Sequence, residues 1–159
     1  MEYAERLFVA GNRQLEIHPR SFDRIVVVFD RDAHRTYHDA LRRVTTLNTR
    51  HENDEGAKVP FEAVASVPCF ELWFLLHFED VHAPIHRTEA AERLRHHIAG
   101  YAKGQGGHWA ATRSRLEAAS QRAAALAKAG HTAMDGTAPY TAMHELVGRL
   151  VHLKDQAAR

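Results

Sequence analysis

Asp30 and Asp32 stand one residue apart at the end of the apolar run Ile25–Phe29, in the stretch IVVVFDRDAH. Alternate residues of an extended segment point the same way, and two carboxylates that converge repel each other unless a cation or a shared proton lies between them. Oxygen donors at this density suit Mg²⁺ or Mn²⁺, with substrate phosphate completing the shell. A purely local reading stands beside this one: Asp30 caps the helix that follows and Asp32 is solvated. Arg31, between them, points away; it balances charge, contacts phosphate, or is solvated. His34 and His38 are one helical turn apart and are expected near the same mouth.

Glu71 is the second chemical candidate, because it interrupts the apolar run CFELWFLLHF. A buried carboxylate must be paired, metal-bound or protonated. Glu71 either caps the first turn of its own helix or projects to the carboxyl end of the sheet and joins Asp30 and Asp32. The single cysteine, Cys69, reads as a small buried residue rather than a nucleophile, and no Cys-His-Asn arrangement accompanies it. Trp73, Phe74, Leu75 and Leu76 read as core, and His77 as a hydrogen-bonded interior or boundary histidine.

These groups need elements to hold them. Ile25–Phe29 contains four consecutive β-branched residues and no Gly or Pro, which predicts a strand. A continuous apolar run rather than an alternating one predicts a central, parallel strand covered on both faces. Leu41, Val44 and Leu47 recur at spacings of three, which predicts a helix after it. Phe61–Val67 is a second strand, and Pro68 precedes a helix in CFELWFLLHF. Strand, helix, strand predicts a right-handed crossover in one sheet, with ligands at the carboxyl ends of the strands, where Asp30 and Asp32 lie. From Thr88 onward the pattern is helical, with Thr88 as an N-cap. An alanine-rich helix ends at Gly130, and a last helix carries Met143, Leu146, Val147 and Leu150 on one face. The N-terminal stretch MEYAERLFVA reads as a helix and LEIH as a short strand. The expectation is one α/β domain over 1–159, with the sheet in 1–80 and helices in 81–159.

The chain of 159 residues has a net charge of +1, 45% apolar and 26% charged residues. That is ordinary globular composition, and no global field drives it onto nucleic acid or an anionic membrane. Any nucleic-acid contact must come from a local patch. One cysteine permits no internal disulfide, which fits a reducing cytoplasm. The longest apolar run is too short to span a bilayer, and no secretory signal is visible, so a soluble cytoplasmic protein is expected. The thirteen histidines make the charge pH-sensitive.

Two stretches, VVVFDRDAHRTYHDAL and SVPCFELWFLLHFED, together resemble the RloB family, whose members carry V-[FW]-D-x-D and S-[NV]-P-C-F-E-L-W-x-L-L-H-F. YAKG, from Tyr101 to Gly104, resembles the family's Y-x-K element, and PYTAMHELVGRL resembles its tail. The resemblance covers roughly Asp23 to Leu150. It implies an α/β domain similar to Toprim, associated with phage defence and abortive infection and paired with an ABC-type or AAA-type ATPase. In Toprim folds a glutamate and a DxD hold Mg²⁺ for phosphodiester chemistry. Carried over, Asp30 and Asp32 match the DxD, and Glu71 matches the glutamate of F-E-L-W. The family's usual opening element C-E-G-x-x-T-E has no counterpart here; Glu2, Glu5 and Glu16 do not match it. Glu71 is the candidate for the missing carboxylate, and a partner or second copy for completing the sheet.

The resemblance therefore implies a Mg²⁺- or Mn²⁺-dependent nuclease acting on DNA or RNA. Asp30, Asp32 and Glu71 would be catalytic and metal-holding, and Lys103, Arg31 and Arg113 would contact the backbone. The alternative is a non-catalytic binding or regulatory module of an ATPase-containing complex. Arg42, Arg43, Arg93 and Arg95 read as solvated helix faces. Glycosyltransferases and haloacid-dehalogenase-like phosphatases also place DxD after a strand. The former need a larger domain, and the latter want Thr or Val where this chain has His34.

Overall fold

A computed structural model describes residues 2–32, 34–136 and 138–158. It is a mixed α/β structure with a three-stranded sheet and several helices. The chain divides into two compact units, residues 1–29 with 34–64, and residues 30–33 with 65–159.

The first unit holds helix α1 (Glu2–Ala10), most of strand β1 (Ile25–Asp30), helix α2 (Tyr37–Leu47) and the first half of strand β2 (Phe61–Val67). Its core is Phe8, Val44, Leu47, Val59 and Phe61, with Ile25 and Ala63 against them. The spacing of Leu41, Val44 and Leu47 does form the buried stripe of α2. The helix expected in MEYAERLFVA spans Glu2–Ala10, whereas LEIH forms no strand: Ile17 makes only an isolated bridge to Asn12.

Strands β1 and β2 run in the same direction, as the bonds Ile25 N–H to Pro60 O (2.9 Å) and Arg31 N–H to Ser66 O (2.9 Å) show. The expected strand–helix–strand order in one sheet is present. The sheet is not wholly parallel, because strand β3 (Tyr140–Thr141) joins β2 antiparallel, pairing Ser66 with Thr141 and Val67 with Tyr140. Nor is β1 the central strand. The order is β1-β2-β3, so β2 is central, and β1 is half-buried with Val28 47% exposed. The run of β-branched residues reflects the conformational preference of a strand rather than cover on both faces.

The second unit carries the remaining elements, helices α3 (Glu71–Leu75), α4 (Arg87–His97), α5 (His108–Thr112), α6 (Leu116–Lys128) and α7 (Met143–Ala157). Helix α3 packs on α4, α6 and β3, and α6 packs on α7. The alanine-rich stretch is not one helix: α5 passes through a 3-10 turn at Arg113–Arg115 before α6 begins. Helix α6 ends as its glycine predicts. Gly130 has φ +88°, its N–H bonds Ala127 O (3.0 Å), and the His131 N–H bonds Leu126 O (3.2 Å). That paired closure caps the last carbonyls and requires a left-handed residue. Helix α4 is capped by His86, whose ring accepts from the Thr88 N–H, so Thr88 is inside the helix rather than its cap. On α7, Met143 is buried, Leu146 and Val147 are half-buried and Leu150 is exposed, so cover of the expected apolar face fades along the helix. Among the described residues no helix is long and apolar enough to cross a membrane.

Candidate functional site

Because β1 and β2 are parallel, their carboxyl ends fall on the same side, which is where ligands gather in such sheets. Asp30 ends β1, and its Oδ2 accepts a hydrogen bond from the Phe70 N–H at 3.3 Å. The strand does not continue past it. Asp32 has φ +39°, a left-handed backbone that Asp tolerates better than most residues, and its N–H bonds Pro68 O at 2.8 Å. The strict alternation expected to aim both carboxylates alike is therefore broken by a turn. The Asp32 carboxylate faces Arg87 instead, with Oδ1 3.5 Å from Nη1. That contact is an ion pair without hydrogen-bond geometry, and Asp32 Oδ1 is buried with no hydrogen-bond partner.

On β2 the chain passes the cis Val67–Pro68 peptide and enters α3 at Glu71. Glu71 is only 4% exposed. Its Oε1 accepts from the Tyr101 hydroxyl at 3.2 Å and lies 3.7 Å from Lys103 Nζ. Its Oε2 is buried and has no hydrogen-bond partner. Tyr101 sits between Phe74 and His108, with ring centroids at 6.3 and 4.9 Å. Burial and the neighbouring Glu71 charge push the Tyr101 phenol well up, so it stays a donor. Burial and the same charge push the Cys69 thiol up to about 12, which excludes a thiolate nucleophile at neutral pH. His77 is buried, with Nδ1 2.9 Å from Trp73 O, and burial lowers its pKa; it is an interior histidine, as its setting predicts.

Glu71 opens onto a cavity of about 340 Å³ lined by Arg87, Thr88, Ala91, Glu92 and Arg95 of α4, and by Tyr101 and Lys103 of the loop after it. The five α4 residues fall at positions i, i+1, i+4, i+5 and i+8, a single face of one helix. Three cations thus share a wall with one buried carboxylate, and one of them, Arg87, reaches the carboxylate of Asp32 as well.

The sequence singled out Asp30, Asp32, Glu71 and Lys103. The structure joins Glu71 with Lys103 directly, and Asp32 with the same cavity through Arg87. Arg31 is not among the residues lining this cavity; its guanidinium lies over Gly136, where an added Cβ would come within 3.0 Å. His34 and His38 belong to the first unit, where His38 stacks edgewise on Tyr37. Arg113 lies in the 3-10 turn. Of the arginines expected on solvated helix faces, Arg42 pairs with Asp39, Arg43 with Glu5, and Arg93 with Glu79 and Glu89, whereas Arg95 lines the cavity. Arg87 was not a candidate from the sequence. Its only local signal is its place one residue after a helix cap.

Among the described residues no three His, Cys, Asp or Glu side chains form a group that could hold a metal ion. Two buried carboxylate oxygens, Asp32 Oδ1 and Glu71 Oε2, lack hydrogen bonds, and each of these carboxylates has a cation of the chain beside it.

A protein-family model described as RloB-like protein matches residues 1–150. No curated protein and no solved structure matches the chain.

Proposed function

The chain belongs to the RloB-like family, and from that premise we propose that it is a metal-dependent nuclease of Toprim-like type. The observation that carries the reading is Glu71, a buried carboxylate whose Oε2 has no hydrogen-bond partner, on a cavity walled by Arg87, Arg95 and Lys103. Unsatisfied buried oxygens call for a partner, and a basic wall next to them suits a phosphate. Asp30, Asp32 and Glu71 would hold Mg²⁺ or Mn²⁺, which when bound orients water and offsets charge on the phosphorus centre. The chain's own part is positional. Tyr101 fixes one oxygen of Glu71 and leaves the other open. Asp30 is held by the Phe70 amide at the start of α3. Lys103 and Arg95 would bind the nucleic-acid backbone, DNA or RNA, without reading its sequence. In this reading the protein serves phage defence in the cytoplasm and works with an ABC- or AAA-type ATPase.

The test is calorimetry with Mg²⁺ and Mn²⁺ on the wild type and on Asp30→Asn/Asp32→Asn. Saturable binding that the double substitution abolishes is expected, followed by metal-dependent cleavage of DNA or tRNA. No binding by the wild type at millimolar ion sinks the reading. The second reading is a non-catalytic module of an ATPase complex. It is favoured by one observation: Asp32 and Glu71 each already face a cation of the chain itself. It predicts ATPase binding that Asp30→Asn/Asp32→Asn leaves intact.

A further inference from the structure

The cavity beside Glu71 can take a ligand without any divalent ion. Its wall carries three cations, Arg87, Arg95 and Lys103, against two carboxylates, Glu71 and Glu92. We propose that it is a metal-independent binding site for a sugar phosphate of the nucleotide class: the cations take the phosphate monoester, and the open oxygen of Glu71 takes a sugar hydroxyl. The inference goes beyond the nuclease reading and stands without it.

Three observations carry this. The first is the placing of charge on α4. Arg87, Ala91 and Arg95 repeat at every fourth position and share one face. The short side chain of Ala91 leaves room between two guanidiniums, the group that grips phosphate through paired N–H donors. Arg87 and Thr88 also stand in the first turn of the helix, where the dipole favours an anion.

The second is that the donors are available. Arg87 lies 3.5 Å from Asp32 and Lys103 lies 3.7 Å from Glu71, and neither contact has hydrogen-bond geometry. Their side chains are 50% and 67% exposed, so both can turn to an entering anion.

The third is the state of Glu71. Tyr101 occupies Oε1, while Oε2 is buried, lacks a partner and belongs to the cavity lining. A bare phosphate would leave that oxygen unsatisfied and set anion against anion. A ligand that also brings a hydroxyl satisfies it, as carboxylates do with ribose in dinucleotide sites. The cavity of about 340 Å³ is near the lower end of small-molecule pockets, about 300–1,000 Å³. That suits one nucleotide and excludes a duplex. A free nucleotide and the phosphorylated end of a single strand present the same chemistry.

The experiment is calorimetry on the whole chain in EDTA, with folding of each variant checked by circular dichroism. The ligands are AMP, its dideoxy analogue lacking both ribose hydroxyls, and a short oligoadenylate with a terminal phosphate. Wild type is expected to prefer AMP to the dideoxy analogue at least about tenfold, the scale of a hydrogen bond to a charged group. Glu71→Gln should bring the two within about twofold, because the charge that strengthens that bond is gone. Arg95→Gln and Lys103→Gln should each weaken both ligands alike, by about tenfold. Arg42→Gln, in the exposed pair with Asp39 on α2, should change neither. Tighter binding of AMP than of the oligoadenylate assigns the site to a free nucleotide, and the reverse assigns it to a strand end; both support the proposal. No AMP binding by the wild type at millimolar concentration overturns it. So does a wild type that binds AMP and the dideoxy analogue equally, a preference that survives Glu71→Gln, or an equal loss in Arg42→Gln. Because EDTA is present throughout, none of these outcomes depends on the Mn²⁺ titration that decides the nuclease reading.

Discussion

Glu71 concentrates the chemistry of the site at one residue. Its backbone opens a helix, one oxygen is tied to Tyr101, and the other is buried and open. Substitution by Gln separates these roles, since an amide oxygen still accepts from Tyr101 while the charge is gone. Glu71→Gln is expected to shift unfolding free energy by no more than about 1 kcal/mol, yet to weaken Mn²⁺ binding at least about tenfold, a change of about 1.4 kcal/mol. Urea denaturation and calorimetry check the two halves. Residues of this kind are legible in the sequence because their type contradicts their surroundings. A glutamate inside CFELWFLLHF and two aspartates ending IVVVF stand out against apolar neighbours. Arg87 and Arg95 are not legible, because an arginine on a helix looks the same whether it faces water or a cavity. The turn at Asp32 is hidden for another reason: its positive φ goes with a bond to Pro68, a contact that periodicity does not encode.

At the scale of elements, the sequence shows its helices through spacing and its breaks through glycine, as in α2 and the closure at Gly130. It misplaces β1, since an apolar run gives strand type but not rank within a sheet. It also misses the interruption of the alanine-rich helix, where alanine permits a helix without dictating its continuity. The first unit adds a pairing the sequence does not suggest: Glu5 of α1 meets Arg43 of α2 at 2.7 Å and His51 at 3.0 Å. Burial pushes the Glu5 carboxyl up, but the hydrogen bonds from Arg43 and His51 outweigh it and hold the group below its ordinary value. A carboxylate lowered in this way stabilises the fold above its unfolded pKa, about 4.3. That contribution is lost as pH falls through the lower folded value. Wild type should therefore exceed Glu5→Gln in urea midpoint at pH 7, and the gap should close at about pH 3, below the reference carboxylate value. A gap that persists at pH 3 would assign the effect to packing instead.

Across the whole molecule, the division between units does not respect the strands. Residues 25–29 of β1 and 61–64 of β2 belong to the first unit, while Asp30 and residues 65–67 belong to the second. Each of these strands thus contributes residues to both units, so a cut at the unit boundary falls inside a strand. Unfolding in urea is expected to be a single transition. Tryptophan emission, which reports Trp73 and Trp109 of the second unit alone, should coincide with far-UV circular dichroism, which reports all helices. Separate midpoints would mean that the units yield independently. The expected division into a sheet-bearing part over 1–80 and a helical part over 81–159 follows composition along the chain; the compact units are residues 1–29 with 34–64 and residues 30–33 with 65–159. One further feature acts on the molecule as a whole: its only cysteine, Cys69, is fully buried, with its thiol pushed up to about 12. The native surface is therefore silent to maleimides and other thiol reagents. A dye or spin label can be attached at the cavity wall through Ala91→Cys alone, without first stripping the background, so the movement of α4's neighbours can be followed in an otherwise unaltered protein.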